Sequence, residues 1–402
     1  MRRISSQNRI NCRSAILAIA LFACFFALSA CSAQPVEADT QEGIEGSGAE
    51  PRIAVVIEGD NISRVMSSMT LRQKVGQLFI IRPEVLGGSA RQLTEEGAAL
   101  YEKYPAGGFC LFANNVSDPE QLKSFTEQLH GLGSRIHPVL TIDEEGGSVT
   151  RIASNRKFDV PRFTDMGRLS STEEAADTAG QIGTYLKEYG IDLDFAPVAD
   201  VNTNPKNPVI GLRAYSSDPQ EAAERVAEAV RAFHESGVGC SLKHWPGHGD
   251  TKTDTHKGSA STAKTWAELL ACEALPFRSG IESGADMVMV AHISAPEVTG
   301  SSEPASLSRV LMTEKLRGEL GYKGVIITDS FEMLAISGVY SPGEAAVKAF
   351  LAGADIILMP ADYEEAFDAV LAAVESGEIS EARLEQSLRR ILRLKADLMG
   401  YN

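Results

Sequence analysis

The segment PQEAAERVAEAVRAFHESGVGCSLKHWPGHGD, residues 219–250, reads in three parts. PQEAAERVAEAVRAFHESG is an amphipathic helical pattern that stops at glycine, the usual C-terminal signal of a helix. GCSLKH, 239–244, is a short apolar run ending in a lysine and a histidine, and a polar stretch broken by proline and glycine follows. Helix, apolar strand and polar loop in succession make up the repeating unit of a parallel sheet covered by helices.

The unit recurs along the chain. Apolar runs stand at 77–81, 107–112, 137–143, 192–200, 239–244, 286–292, 323–329 and 355–360. Helical patterns such as PEQLKSFTEQLHGLG, STEEAADTAGQIGTYLKEYG and TWAELLACEALPFRSGIESG separate them. Eight strands in roughly 340 residues predict an α/β fold, a (β/α)8 TIM-type barrel forming a single domain over 56–402. An open doubly wound sheet is the alternative. The last helical pattern, SEARLEQSLRRILRLKADLMG, is expected to close the barrel, leaving nothing for a second domain. Asp143, Asp200, Lys243, His244, His292 and Asp329 each fall at or just past the end of an apolar run. In a barrel those ends share the face on which βα loops build a site.

The N-terminus has a different character. MRRISSQNRINCRSAILAIALFACFFALSAC sets four arginines before an apolar run from Ala15 to Ala27. That is the layout of a secretory signal, too short to span a membrane comfortably. Leu28-Ser29-Ala30-Cys31 resembles a bacterial lipobox, whose cysteine is lipidated and becomes residue one. Residues 1–30 are therefore expected to be a lipoprotein signal peptide, with an uncleaved anchor as the alternative. Residues 31–55, poor in large apolar groups, are expected to be a flexible tether. The mature chain is then expected outside the cytoplasm, lipid-anchored to a bacterial membrane through Cys31.

Composition narrows the field further. The 402 residues are 44% hydrophobic and 23% charged, as in ordinary globular proteins. Loss of residues 1–30 removes four arginines and no acid, so the formal charge moves from −16 to −20, which speaks against nucleic acid as a partner. Beyond Cys31 only Cys110, Cys240 and Cys272 remain, an odd number without a close pair. A disulfide framework and a cysteine-based zinc site are both disfavoured.

KHWPGHGDTKTDTH, 243–256, packs three histidines and two aspartates into fourteen residues. Pro246, Gly247 and Gly249 forbid a helix, so a metal motif with both histidines on one helical face is ruled out. A loop-based metal site on His244, His248 and Asp250 stays open. Asp254-Thr255-His256 is an i, i+2 pair that, in extended chain, turns a carboxylate and an imidazole to the same side, an arrangement suited to giving and taking a proton. A solvated polar loop is the plain alternative. Asp329 closes KGVIITD and opens SFEMLAIS, a place that suits an N-cap or a nucleophile. In IDEEGGSVTRI, 142–152, the glycines suggest a tight turn, with Asp143 able to accept hydrogen bonds from a hydroxylated ligand and Arg151 able to orient it. A salt-bridged surface turn explains the same residues. Arg213 follows a glycine in a comparable loop.

Together these pieces resemble glycoside hydrolase family 3, and within it the β-N-acetylglucosaminidase branch. The likeness runs from about residue 62 to the end, on TLRQKVGQLF, IDEEGGSVTRI, DFAPVADVNTNPKNPVIGLRAYSSDP, KHWPGHGDTKTDTH and ITDSFEM. It implies hydrolysis of terminal, non-reducing β-linked N-acetylglucosamine with retention, through a covalent glycosyl-enzyme, without metal or organic cofactor. By the same resemblance Asp329 is the nucleophile, His256 the acid/base and Asp254 its partner. Asp143, Arg151, Arg213, Lys243 and His244 match positions that hold the sugar. Most glycosidases pair two carboxylates; other members of the family bring an acid/base glutamate from a second domain, for which this chain leaves no room. Cell-wall muropeptides or chitin-type oligosaccharides are the expected substrates. A family-3 phosphorylase, a β-glucosidase and the His/Asp metallohydrolase are the alternatives. The branch commonly has Phe where Trp245 stands, and Glu144 and Ser148 depart from its pattern in ways expected to alter the rim of the site.

Overall fold

The computed structural model describes residues 60–399 except 88, 134, 135 and 256. The signal and tether segments, Cys31 and His256 lie outside the described residues. Eight parallel strands run in chain order: β1 Phe79–Ile81, β2 Gly108–Leu111, β3 Val139–Ile142, β4 Leu193–Asp194, β5 Gly239–Trp245, β6 Met287–Val290, β7 Val325–Thr328 and β8 Ile357–Leu358. Neighbours in sequence are neighbours in the sheet, β8 lies beside β1, and a parallel bridge between Ile327 and Ile356 joins β7 to β8. The ring is the expected TIM-type barrel. Runs such as VLTI, MVMV and VIIT are buried at every position because one face of each strand fills the barrel and the other meets a helix.

Local signals set most helix ends. Asp118, Ser171, Asp218 and Ser341 cap helices by accepting a backbone N–H, and proline follows three of these caps. Two expectations need correction. The pattern at 265–284 is two helices, Trp266–Ala271 and Ala274–Glu282, because Glu273 turns inward at the junction, fully buried, to pair with Lys264. Asp329 does not cap a helix: the one after β7 is only Leu334–Ser337, and a turn through Ser330 intervenes. A small parallel pair, Ala260–Ser261 with Ile293–Ser294, also adds to the barrel's mouth.

The floor of the barrel repeats one device three times. Asp192, Asp286 and Asp355 each precede a strand and accept the N–H of the second residue of the strand before it: Leu140 at 2.8 Å, Cys240 at 2.9 Å and Ile326 at 3.0 Å. Each aspartate also takes a cation or imidazole from the helix that leads into the strand it caps: His130 at 2.8 Å, His234 at 2.8 Å, and Arg317. The final helix, Glu381–Met399, crosses beneath, with Arg390 2.9 Å from Asp355 at the β7–β8 seam and Lys395 Nζ 2.6 Å from Gln77 Oε1 just ahead of β1.

Candidate active site

At the other end the strands open onto a cavity of about 460 Å³, within the range of small-ligand sites. Asp143, Arg151, Arg213, Lys243, His244 and Asp329, far apart in the chain, all line it. The end of β5 and the loops after β3, β4 and β7 deliver them.

Lys243 is the centre of the charge arrangement. Its buried Nζ lies 2.6 Å from Asp143 Oδ1 and 2.6 Å from Glu145 Oε1. Glu145 in turn takes a bidentate pair from Arg213, Nε at 2.8 Å and Nη2 at 2.6 Å, while Arg151 Nη2 is 3.6 Å from Asp143. Burial alone would lower the lysine's pKa, but the Asp143 and Glu145 charges outweigh it and hold the ammonium above its usual range. Burial likewise works against ionised Glu145, yet Arg213 and Lys243 hold its carboxyl well below the usual carboxylate range. Glu145, Arg213 and Lys243 are each held in the ionised form by their partners, and the cluster presents fixed donors and acceptors to whatever fills the cavity.

Glu145 is a site residue that the sequence reading missed. It follows Asp143 by two in extended chain, so the two carboxylates share a side and Glu144 points away. That period of two was the available signal. Glu144 is fully buried and accepts the N–H groups of Arg151, Ile152 (3.0 Å) and Ala153 (2.8 Å), plus the Tyr185 hydroxyl (2.9 Å). It shapes the turn that presents Arg151 and is no part of the rim, contrary to expectation.

Asp200 organises the loop after β5. Its Oδ2 lies 2.7 Å from His244 Nδ1, and its Oδ1 accepts the N–H of His248 at 2.6 Å. Burial raises the Asp200 pKa, but His244 opposite more than offsets it and the carboxyl is held below its usual value. With Nδ1 committed, His244 turns to the cavity as an oriented ring. Trp245 fills the core, its Nε1–H donating to Leu311 O at 3.1 Å.

Asp329 follows β7 directly. Its backbone N–H donates to Val290 O at 2.8 Å and its Oδ1 accepts the Ser330 N–H at 2.7 Å. His292, expected at the mouth, stands behind this turn, with Nε2 2.8 Å from Ser330 O and Nδ1 2.8 Å from Ser306 Oγ. Across the cavity Arg82 pairs with Glu332 at 2.9 Å and lies over the Phe112 ring at 4.3 Å, a wall that no sequence motif announced. The loop after β5 reaches the cavity through His248 and Thr255, while Asp254 carries its carboxylate 3.7 Å from Lys257 Nζ.

The metal alternative does not gather. Asp250 Oδ2 accepts the Thr262 hydroxyl at 2.7 Å, and the His244 and His248 ring centroids are 6.0 Å apart. Among the described residues, ligand atoms come within 4.8 Å of one another at His234, Cys240 and Asp286. That trio is one copy of the barrel-floor device, which recurs at His130 and Asp192 with Leu140 in the place of Cys240, so strand capping accounts for it.

The model described as the glycosyl hydrolase family 3 N terminal domain matches residues 70–394. Beta-hexosaminidase A of Pseudoalteromonas piscicida is 37% identical over 336 residues, covering 76% of this chain and 56% of that protein. The beta-hexosaminidase of Stenotrophomonas maltophilia (strain K279a) is 34% identical over 309 residues, covering 75% and 89%. A glycoside hydrolase family 3 beta-N-acetylglucosaminidase from Paenibacillus sp. str. FPU-7 superposes with a TM-score of 0.78 at 39% identity, covering 83% of this chain and 63% of that one. The chain thus spans little more than half of the first relative and under two thirds of the third. With the barrel, the occupied strand ends and these matches together, the chain belongs to glycoside hydrolase family 3.

Proposed function

We propose that the chain is an exo-acting, retaining β-N-acetylglucosaminidase. The observation that carries this reading is the single cavity holding Asp329 together with the Lys243–Asp143–Glu145–Arg213 network. Asp143, Arg151, Arg213, Lys243 and His244 bind the hydroxyls of the terminal sugar, with hydrogen bonds that strengthen as an oxocarbenium-like transition state forms. The Asp329 carboxylate attacks the anomeric carbon while His256, oriented by Asp254, gives its proton to the departing glycosidic oxygen. Water then loses a proton to His256, attacks the same carbon and releases Asp329, so two inversions leave the β configuration. Muropeptides or chitin-type oligosaccharides are the substrates, and Cys31 carries the acyl chains that keep the enzyme at a membrane outside the cytoplasm. The similarity to the Paenibacillus β-N-acetylglucosaminidase supports the sugar assignment.

Four measurements test the reading. Asp329→Ala is expected to abolish nitrophenol release from the β-N-acetylglucosaminide; near-normal turnover overturns the nucleophile. Proton NMR of the first product is expected to show the β anomer, and a nitrophenyl β-glucoside turned over equally well overturns the sugar assignment. Cys31→Ala is expected to move the protein from the membrane fraction to the soluble one.

A further inference from the structure

The loop after β5 contains a histidine that the proposed reaction does not use. His248 is 1% exposed. Its Nδ1 lies 2.6 Å from Thr251 Oγ1 and its Nε2 3.3 Å from Thr255 Oγ1, so the ring spans its own loop and ties residue 251 to residue 255. The backbone around it is pinned from below. The His248 N–H donates to Asp200 Oδ1 at 2.6 Å, and its carbonyl accepts Asn207 Nδ2 at 2.8 Å. Asn204 Nδ2 holds the Thr251 carbonyl at 2.9 Å, and a Cβ on Gly249 would come within 1.7 Å of Val201 O. The base of the loop is therefore tied at several points to the loop after β4.

The hydrogen-bond inventory assigns the ring a state. The Thr251 hydroxyl also lies 2.9 Å from the His248 carbonyl. If it donates there, Nδ1–H donates to Thr251 and Nε2 accepts the Thr255 proton, a set that one neutral imidazole satisfies completely. Burial, then the neighbouring His244 charge, lowers the His248 pKa and favours that neutral form. Both ring nitrogens are spent on threonines, which leaves His248 without a nitrogen for a sugar although it lines the cavity. Thr255, also buried at the cavity wall, stands between Asp254 and His256 in the chain.

We infer that His248 is a positioning residue: through Thr255 it sets the Asp254–His256 segment for proton transfer to the departing sugar oxygen. This rests on the reading of His256 as proton donor, and the experiment separates the two. The quantity read is kcat/KM, which reports the first displacement, on two substrates. One is a dinitrophenyl β-N-acetylglucosaminide, whose leaving group needs no proton, and the other is N,N′-diacetylchitobiose, whose leaving group does. Thr255→Val and His248→Asn are expected to lose roughly ten- to a hundredfold more on the disaccharide than on the dinitrophenyl glycoside, part of the acid-catalytic factor. The double variant is expected to be no worse than the worse single one, and Thr255→Ser to restore the disaccharide reaction. Equal losses on both substrates, or losses that multiply in the double variant, overturn the inference. If His248→Asn fails to fold, Thr255→Val with its serine control decides alone. His256→Ala is the reference. If it shows no leaving-group dependence, the proton-donor assignment fails; if it does while Thr255→Val loses uniformly, only the role of His248 fails.

Discussion

Lys243 Nζ lies 2.6 Å from Glu145 Oε1, with each side chain only 2% exposed. Burying an unpaired charge is costly, and removing one partner of such a pair costs about 3–5 kcal/mol. Glu145→Ala is expected to lower the unfolding free energy by about that amount, read by urea denaturation, and to raise KM sharply, since Lys243 and Arg213 both lose a shared anchor. The depressed pKa of Glu145 fixes the sign with pH. Its contribution is full above the unfolded value of about 4.3 and is lost only as pH falls through the lower folded value. The difference between wild type and variant should therefore be flat from about pH 5 to pH 8.

Asp194 and Asp200 are both fully buried near the end of β4, and isosteric substitution should separate them. Burial pushes the Asp194 carboxyl well above its usual range, and its Oδ1 accepts the Glu144 N–H at 2.9 Å. Asp194→Asn is expected to cost within about 1 kcal/mol of stability. Asp200→Asn removes the charge that orients His244 and is expected to cost about 1.5–3 kcal/mol in kcat/KM, the worth of a charged hydrogen bond, or roughly ten- to a hundredfold. Equal effects of the two substitutions would contradict these assignments.

His234 on the barrel floor titrates against Asp286. The hydrogen bond to Asp286 raises its pKa, with burial opposing. A raised histidine contributes stability that is full below the unfolded value of about 6.5 and disappears as pH rises through the folded one. The stability gap between wild type and His234→Gln should shrink as pH is raised from about 6 to 9, by denaturation at each pH. A gap that widens over that range would contradict the pairing.

Lys395 has the opposite sign. Its ammonium is fully buried between Gln77 Oε1 and the His137 carbonyl, and burial lowers its pKa to about 7, with Asp192 opposing. Between that value and the unfolded one of about 10.4 the unfolded chain binds the extra proton, so stability rises with pH there. Wild type should gain up to about 1.4 kcal/mol per pH unit relative to Lys395→Met over pH 7–10, and the gap should be constant below.

The barrel was legible because its signals are local. Eight apolar runs, each followed by polar residues, and helices ended by Gly190 or Gly237 state a period that no distant contact needs to supply. The same locality explains the two errors in helix boundaries. At Glu273 and at Asp329 the pattern looked continuous, and only a partner elsewhere, Lys264 for the first and the Ser330 turn beside β6 for the second, broke it.

For the site, the sequence by itself determined which residue types stand at the strand ends, since that follows from where each apolar run stops. Only the tertiary structure decided which of Asp143, Glu144 and Glu145 face the cavity, that Asp200 holds His244, and that His248 spends both nitrogens on Thr251 and Thr255. Those outcomes depend on burial and on charges brought together from 100 or 68 residues apart, as for Lys243 with Asp143 and Arg213 with Glu145. Burial raises the cost of every unpaired charge, and it exists only once the barrel has closed.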